Sequence, residues 1–184
     1  MSLTTPDTIR TLQRKLYAKA KQEPAYRFYA LYDKISREDI LSHAWRLVRA
    51  NQGSPGVDGI SFEAIEGGMG VGTFLQDLAC DLQEKTYQAQ PVRRVMIPKA
   101  DGSQRPLGIP TLRDRVAQMA VKLVIEPIFE ADFCPHSYGF RPKKSAHDAV
   151  DDIANTLWAG YTQVIDADLS KYFDSIPHAK LMAV

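Results

Sequence analysis

The sequence predicts a helix-rich α+β fold, and three observations predict it. Apolar residues recur at three- and four-residue spacing along several otherwise polar stretches, the mark of helices with one buried face. Two β-prone runs, 92–98 and 105–110, flank the turn residues Asp101, Gly102 and Ser103, which together read as a hairpin. A last β-prone run, 161–168, ends in a carboxylate sixteen residues before Val184.

Taken in order, residues 8–23 read as a helix, with Ile9, Leu12, Leu16 and Ala20 at helical spacing and Pro24 as the stop. The aromatic-rich stretch 25–34 reads as a second short helix. Ser36 to Asp39 has the Ser-x-x-Asp arrangement of an N-cap. The helix it opens would bury Ile40, Leu41, Ala44, Leu47 and Val48 and end near Asn51. Residues 51–59 are a loop by composition. The glycine run 67–72 lacks the Lys-Ser/Thr pair of a phosphate cradle and reads as a flexible linker. Phe74, Leu75, Leu78 and Leu82 mark another helix, which ends before Pro91. The prolines of the hairpin suit an edge position or frayed ends. From Asp114 to Phe129 runs a long apolar helix that Pro127 should bend or end. Ser145 and Asp148 cap a helix through Trp158, Gly160 ends it, and the terminal strand follows.

Composition removes several functional classes. The 184 residues are 45% hydrophobic and 24% charged, ordinary for a chain that buries a core. No apolar run approaches the ~18–20 residues that span a bilayer. No signal-peptide pattern opens the chain, and Cys80 and Cys134 stand far apart without metal-ligand neighbours, so two reduced thiols in a cytoplasmic protein are expected. Net charge is only +1 but is blocked. Residues 1–50 and 91–144 each carry ten Lys/Arg against five Asp/Glu, whereas 51–90 and 145–184 are acidic. Two basic blocks are what a phosphate backbone requires; solvated helix faces give the same count, and for residues 1–50 alone that plainer account is preferred.

Three segments carry chemistry. In the terminal strand, period two puts Val164, Asp166 and Asp168 on one face. Paired carboxylates repel unless a cation separates them. Mg²⁺ at the strand end would do so, and so would solvent at a sheet edge. At the hairpin, Lys99 sits in the turn and Arg105 opens the second strand. That suits a triphosphate, with Lys as a point charge and Arg as a fork; it equally suits polar decoration of a turn. Arg93 and Arg94 point to opposite faces. Residues 138–144 mix Tyr138 and Phe140 with Arg141, Lys143 and Lys144, a mixture fit for base stacking and phosphate contact. Tyr138 and Phe140 are expected to be partly core and Arg141 functional or ion-paired.

These residues carry a resemblance. The segments 93–99, 101–102 and 105–110, then Asp114-Arg115, Gln118, Glu126-Pro127 and 137–142, resemble in order the fingers of a group II intron reverse transcriptase (maturase). Residues 168–174, Asp-Leu-Ser-Lys-Tyr-Phe-Asp, resemble its first palm motif, and 51–59 resemble the extra N-terminal motif of that family. The resemblance runs from about Ser36 to the end and is less distinct over 1–35.

The resemblance implies a right-hand polymerase fold cut short: an N-terminal helical extension at 1–35, fingers at 36–160 and the start of a palm at 161–184. It implies RNA-directed DNA polymerase activity by two-metal phosphoryl transfer with Mg²⁺. Asp168 would be catalytic and, with the Leu169 carbonyl, a metal ligand. Lys99 and Arg105 would grip the nucleotide, and Phe173 would exclude a ribose 2′-hydroxyl. Arg93, Arg115 and Arg141 would line the nucleic-acid channel. Implied partners are an intron RNA template, a DNA primer and a deoxynucleotide, with no membrane; a homodimer is compatible. The family's paired aspartates in Tyr-x-Asp-Asp would lie past Val184, so these 184 residues alone are expected to be inactive. An RNA-binding fingers module without polymerase activity and a self-associating scaffold are the alternatives.

Overall fold

The computed structural model describes residues 3–100, 102–169 and 172–183; the side chains of Phe173 and Asp174 are outside it. Asp101 of the hairpin turn and Ser170 and Lys171 of the palm-like motif therefore lie outside the described residues. The chain forms two compact units, Met1–Cys134 and Pro135–Val184.

The first unit holds α1 (Asp7–Gln22), α2 (Tyr32–Ile35), α3 (Glu38–Asn51), α4 (Phe62–Gly67), α5 (Val71–Glu84), a hairpin of β1 (Arg93–Pro98) and β2 (Gln104–Ile109), and α6 (Leu112–Asp132). Its centre is α6. Leu112, Val116, Ala120, Leu123 and Val124 are buried at helical spacing, and α1 and α3 both pack on them. Trp45 of α3 meets the rings of Phe62 and Phe74 with centroids 5.6 and 5.4 Å away, which ties α4 and α5 to the same core.

Pro127 neither ends nor breaks α6. Proline has no N–H to give the carbonyl four residues back. That carbonyl, on Leu123, accepts instead from the Gln13 side chain of α1 at 3.0 Å. Nearer the helix end, Lys21 donates to the Ala131 carbonyl at 3.0 Å, a cation where the helix dipole favours one.

Four other expectations change in this unit. Residues 25–31 are not helical: Tyr26 packs edge-on against Phe28 at 5.0 Å and lies under Lys19 at 4.2 Å, and only Tyr32–Ile35 coils. Ser36 does not cap α3. Its hydroxyl turns back to the Asp33 carbonyl, while Asp39 takes Arg37 and Thr8. The glycine run is an ordered junction rather than a flexible linker. Gly68 closes α4, with room for no Cβ beside the Ala64 carbonyl, and Gly70, at φ 83°, opens α5. Helix α4, capped by Ser61, was not anticipated.

In the second unit α7 (Ala146–Trp158) carries the expected capping box of Ser145 and Asp148, and Gly160, at φ 97°, follows it. Two single turns, α8 (Tyr172–Ser175) and α9 (His178–Leu181), follow. The expected strand 161–168 is absent. A strand exists only through a ladder partner, and the described residues give this segment none; Val164 and Ile165 stand exposed.

Candidate nucleic-acid interface

The hairpin is antiparallel, with Arg93 opposite Ile109, Val95 opposite Leu107 and Ile97 opposite Arg105. Directly opposed residues share a face, so Arg93 and Arg105 lie on one side and Arg94 on the other. Lys99 opens the turn. Its N–H donates to the Ser103 carbonyl at 2.8 Å, and its own carbonyl accepts from Gly102 at 3.1 Å, where φ is 81°. Both strands are solvent-exposed almost throughout. Lys99 and Arg105 thus stand at an open tip, one in the turn and one a single ladder step from its end.

The base of this hairpin is pinned by one carboxylate. Thr111 caps α6, its hydroxyl oxygen accepting the Asp114 N–H at 3.1 Å. Asp114, almost wholly buried, accepts from the Thr111 hydroxyl at 2.7 Å, from the Tyr87 hydroxyl at 2.6 Å and from the Gln90 N–H at 3.3 Å. Burial first, and the bond to Asp114 second, push the Tyr87 phenol well above its ordinary value, so it remains a donor. Sequence reasoning passed over this knot. The signal was present, because Thr111 and Asp114 repeat the cap spacing recognised at Ser145 and Asp148.

Arg115 does two things. Its guanidinium donates to the Pro110 carbonyl at 3.1 Å and to the Ser54 carbonyl, fastening the 51–59 loop to the start of α6. Gly56 presses on the same place, where a Cβ would fall 2.6 Å from Thr111 Cα and N. Burial lowers the Arg115 pKa, and the charge of Arg93 lowers it further, while Asp58 opposes both. Two of the three arginines expected in the nucleic-acid channel, Arg93 and Arg115, thus feel each other's charge. Beside them Asn51, Gln52, Arg115, Gln118 and Lys122 line a groove of about 280 Å³ floored by Val48 and Met119.

The second unit places Arg141 and Asp168. Arg141 donates to the Ser137 carbonyl at 2.7 Å within the loop before α7. His136 Nδ1 lies 2.7 Å from Asp152 of α7, and the Tyr138 hydroxyl bonds the same carboxylate. Those two bonds, His136 foremost, hold Asp152 below the usual carboxylate range. Lys144 sits 4.8 Å over the Tyr138 ring. Tyr138 is half-buried as expected, but Phe140 is fully exposed rather than partly core. Its backbone is at φ 57°, in the left-handed region.

Asp168 is exposed, and one carboxylate oxygen accepts the Leu169 N–H at 2.8 Å. A carboxylate and a neighbouring backbone carbonyl are hard oxygen donors, the kind Mg²⁺ takes. These donors fit the ion in kind, as part of a larger set. Among the described residues, no three His, Cys, Asp or Glu side chains gather as a metal centre. Phe173 lies in α8 with its side chain outside the described residues. No helix of the described residues is long and apolar enough to cross a membrane.

Comparison with known proteins agrees with this set of features. The family profile described as reverse transcriptase (RNA-dependent DNA polymerase) matches residues 97–184. Protein YkfC of Escherichia coli K12 is 42% identical over 180 residues, covering 95% of this chain and 47% of its own length. The group II intron-encoded protein LtrA of Lactococcus lactis subsp. cremoris is 34% identical over 165 residues, covering 85% of this chain and 26% of its own length. An uncharacterized 91 kDa protein in the cob intron of Schizosaccharomyces pombe is 34% identical over 159 residues, 83% of this chain and 18% of its own. The chain thus spans less than half the length of these curated relatives.

Proposed function

We propose that this chain, which belongs to the reverse transcriptase family and within it resembles the group II intron-encoded proteins, supplies the fingers and the first catalytic carboxylate of an RNA-directed DNA polymerase. The observation that carries the reading is the open cationic tip of the hairpin: Lys99 in the turn, and Arg105 across from Ile97 on an exposed strand. There Lys99 and Arg105 would hold the triphosphate of an incoming deoxynucleotide by charge-assisted hydrogen bonds. Asp114 fixes the hairpin's base, so the tip is carried on a rigid root rather than on a free loop.

Asp168 and the Leu169 carbonyl would hold Mg²⁺, which when bound lowers the pKa of an attacking primer hydroxyl and steadies the leaving pyrophosphate. Phe173 would crowd the 2′-position of the nucleotide and select deoxyribose. Arg93 of the hairpin, Arg115 of α6 and Arg141 in the second unit would take phosphates of the RNA template. The remaining partners are the primer and the deoxynucleotide, and intron RNA in the cytoplasm is the proposed template.

The test is steady-state primer extension by the full-length protein. A charge-assisted hydrogen bond is worth ~1.5–3 kcal/mol. Lys99→Ala and Arg105→Ala should therefore each raise the deoxynucleotide KM by roughly 10- to 100-fold, with template affinity unchanged. An unaltered KM in both variants would remove the tip from the nucleotide site and the proposal with it.

A further inference from the structure

Phe140 combines two costs that a folded chain rarely accepts at one residue. It is a bulky side chain at φ 57°, in the left-handed region that favours glycine. It is also an aromatic ring with no cover at all, 107% of the reference exposure. Its neighbour Gly139 has no Cβ and could take a left-handed turn at little steric cost. The left-handed residue is instead the phenylalanine, and its ring stands in solvent.

That posture is held from behind. His136 and Tyr138 both bond Asp152 of α7, Arg141 donates to the Ser137 carbonyl, and Lys144 reaches the Pro135 carbonyl at 3.4 Å while lying over the Tyr138 ring. The loop is therefore tied at both ends and to a helix, with Phe140 at its crest. Arg141, Lys143 and Lys144 follow immediately, and no acidic residue falls between Cys134 and Ala146. An exposed ring bordered by cations matches a nucleobase joined to its phosphates.

We propose that Phe140 is a base-stacking residue for single-stranded RNA, and that Asp152, through His136 and Tyr138, is the positioning residue that presents it. This rests on the reading that the protein handles an RNA template. It adds a contact to a base, where the arginines contact phosphate.

Binding of an RNA of about 12 nucleotides carrying 2-aminopurine, within the usual span of single-strand sites, tests it in the full-length protein. Wild type should bind and quench the probe. Phe140→Ala should weaken binding roughly 5- to 100-fold and lose the quench, and Phe140→Trp should keep both. Phe140→Gly should weaken binding equally while its melting temperature stays level or rises, because the backbone is relieved. Asp152→Ala should weaken binding in the wild-type background but change little when added to Phe140→Ala. Affinity unchanged in Phe140→Ala, with wild type binding normally, overturns this inference and leaves the polymerase reading intact. Wild type that binds no RNA overturns both. A fall in melting temperature in Phe140→Ala and Phe140→Gly, with affinity lost only in proportion, means that the protein's own chain covers the ring, and also overturns it.

Discussion

Asp114 and His43 are buried in the same unit and are treated in opposite ways. Asp114 is enclosed by donors, whereas neither ring nitrogen of His43 has a hydrogen-bond partner. Removing the Asp114 carboxylate strands the Tyr87 and Thr111 hydroxyls, so Asp114→Ala should lose ~2–4 kcal/mol in urea unfolding. Desolvation first, and then the charge of Arg46, lower the His43 pKa. A base whose folded pKa is depressed contributes stability above its unfolded value of about 6.5. That contribution is lost as pH falls from there through the folded pKa. His43→Leu should flatten the acid side of the stability curve below about pH 6.5 and leave neutral stability level or higher; an unchanged acid slope would contradict this. Neither environment was legible in the sequence. The spacing of α3 marked Ile40, Leu41, Ala44, Leu47 and Val48 as buried, of which Leu47 is only partly so, but a polar residue on the buried stripe gives no sign of whether it has partners. Phe140 shows the same limit from the other side, because residue type predicts partial burial and the ring is fully exposed.

Helices were legible where an apolar stripe or a cap declared them: α1, α3, α5, α6 and α7 lie where the periodicity puts them. The hairpin was legible because its pairing is local. What failed depended on distant partners. Pro127 reads as a stop until Gln13, 110 positions from the carbonyl it serves, supplies the missing donor. Gln13→Leu should cost ~1–2 kcal/mol and fray α6 beyond Leu123, seen as faster amide exchange there; exchange as slow as wild type would contradict it. In the same way alternation made 161–168 a strand, yet alternation says nothing of a ladder partner. The second unit has its own acid limit. Asp148 is held below the usual carboxylate range by the Ser145 side chain and backbone, and Asp152 by His136 and Tyr138. A carboxylate with a depressed folded pKa contributes stability above its unfolded value of about 3.9 and loses it as pH falls further. Helicity of α7 should therefore fall below about pH 4, and Ser145→Ala should weaken the cap at neutral pH.

At the scale of the molecule, charge is distributed by segment rather than in sum. Segment 91–144, which holds the hairpin, α6 and the loop at Phe140, carries twice as many cations as anions in a chain of net charge +1. Binding of RNA by that segment should weaken with salt at a log–log slope of roughly −0.7 per phosphate neutralised. The ordered motifs, from the 51–59 loop to Asp168, made the family legible without coordinates. The fold adds the mechanical reasons, namely the Asp114 root under the hairpin and the Arg115 clasp on the loop. Asp168 is proposed as a catalytic carboxylate that would hold Mg²⁺. Metal-ion assistance is worth several kcal/mol, so in primer extension by the full-length protein with Mg²⁺, Asp168→Ala should fall by roughly a thousandfold or more while RNA affinity holds. A variant that extends the primer as fast as wild type would contradict the account.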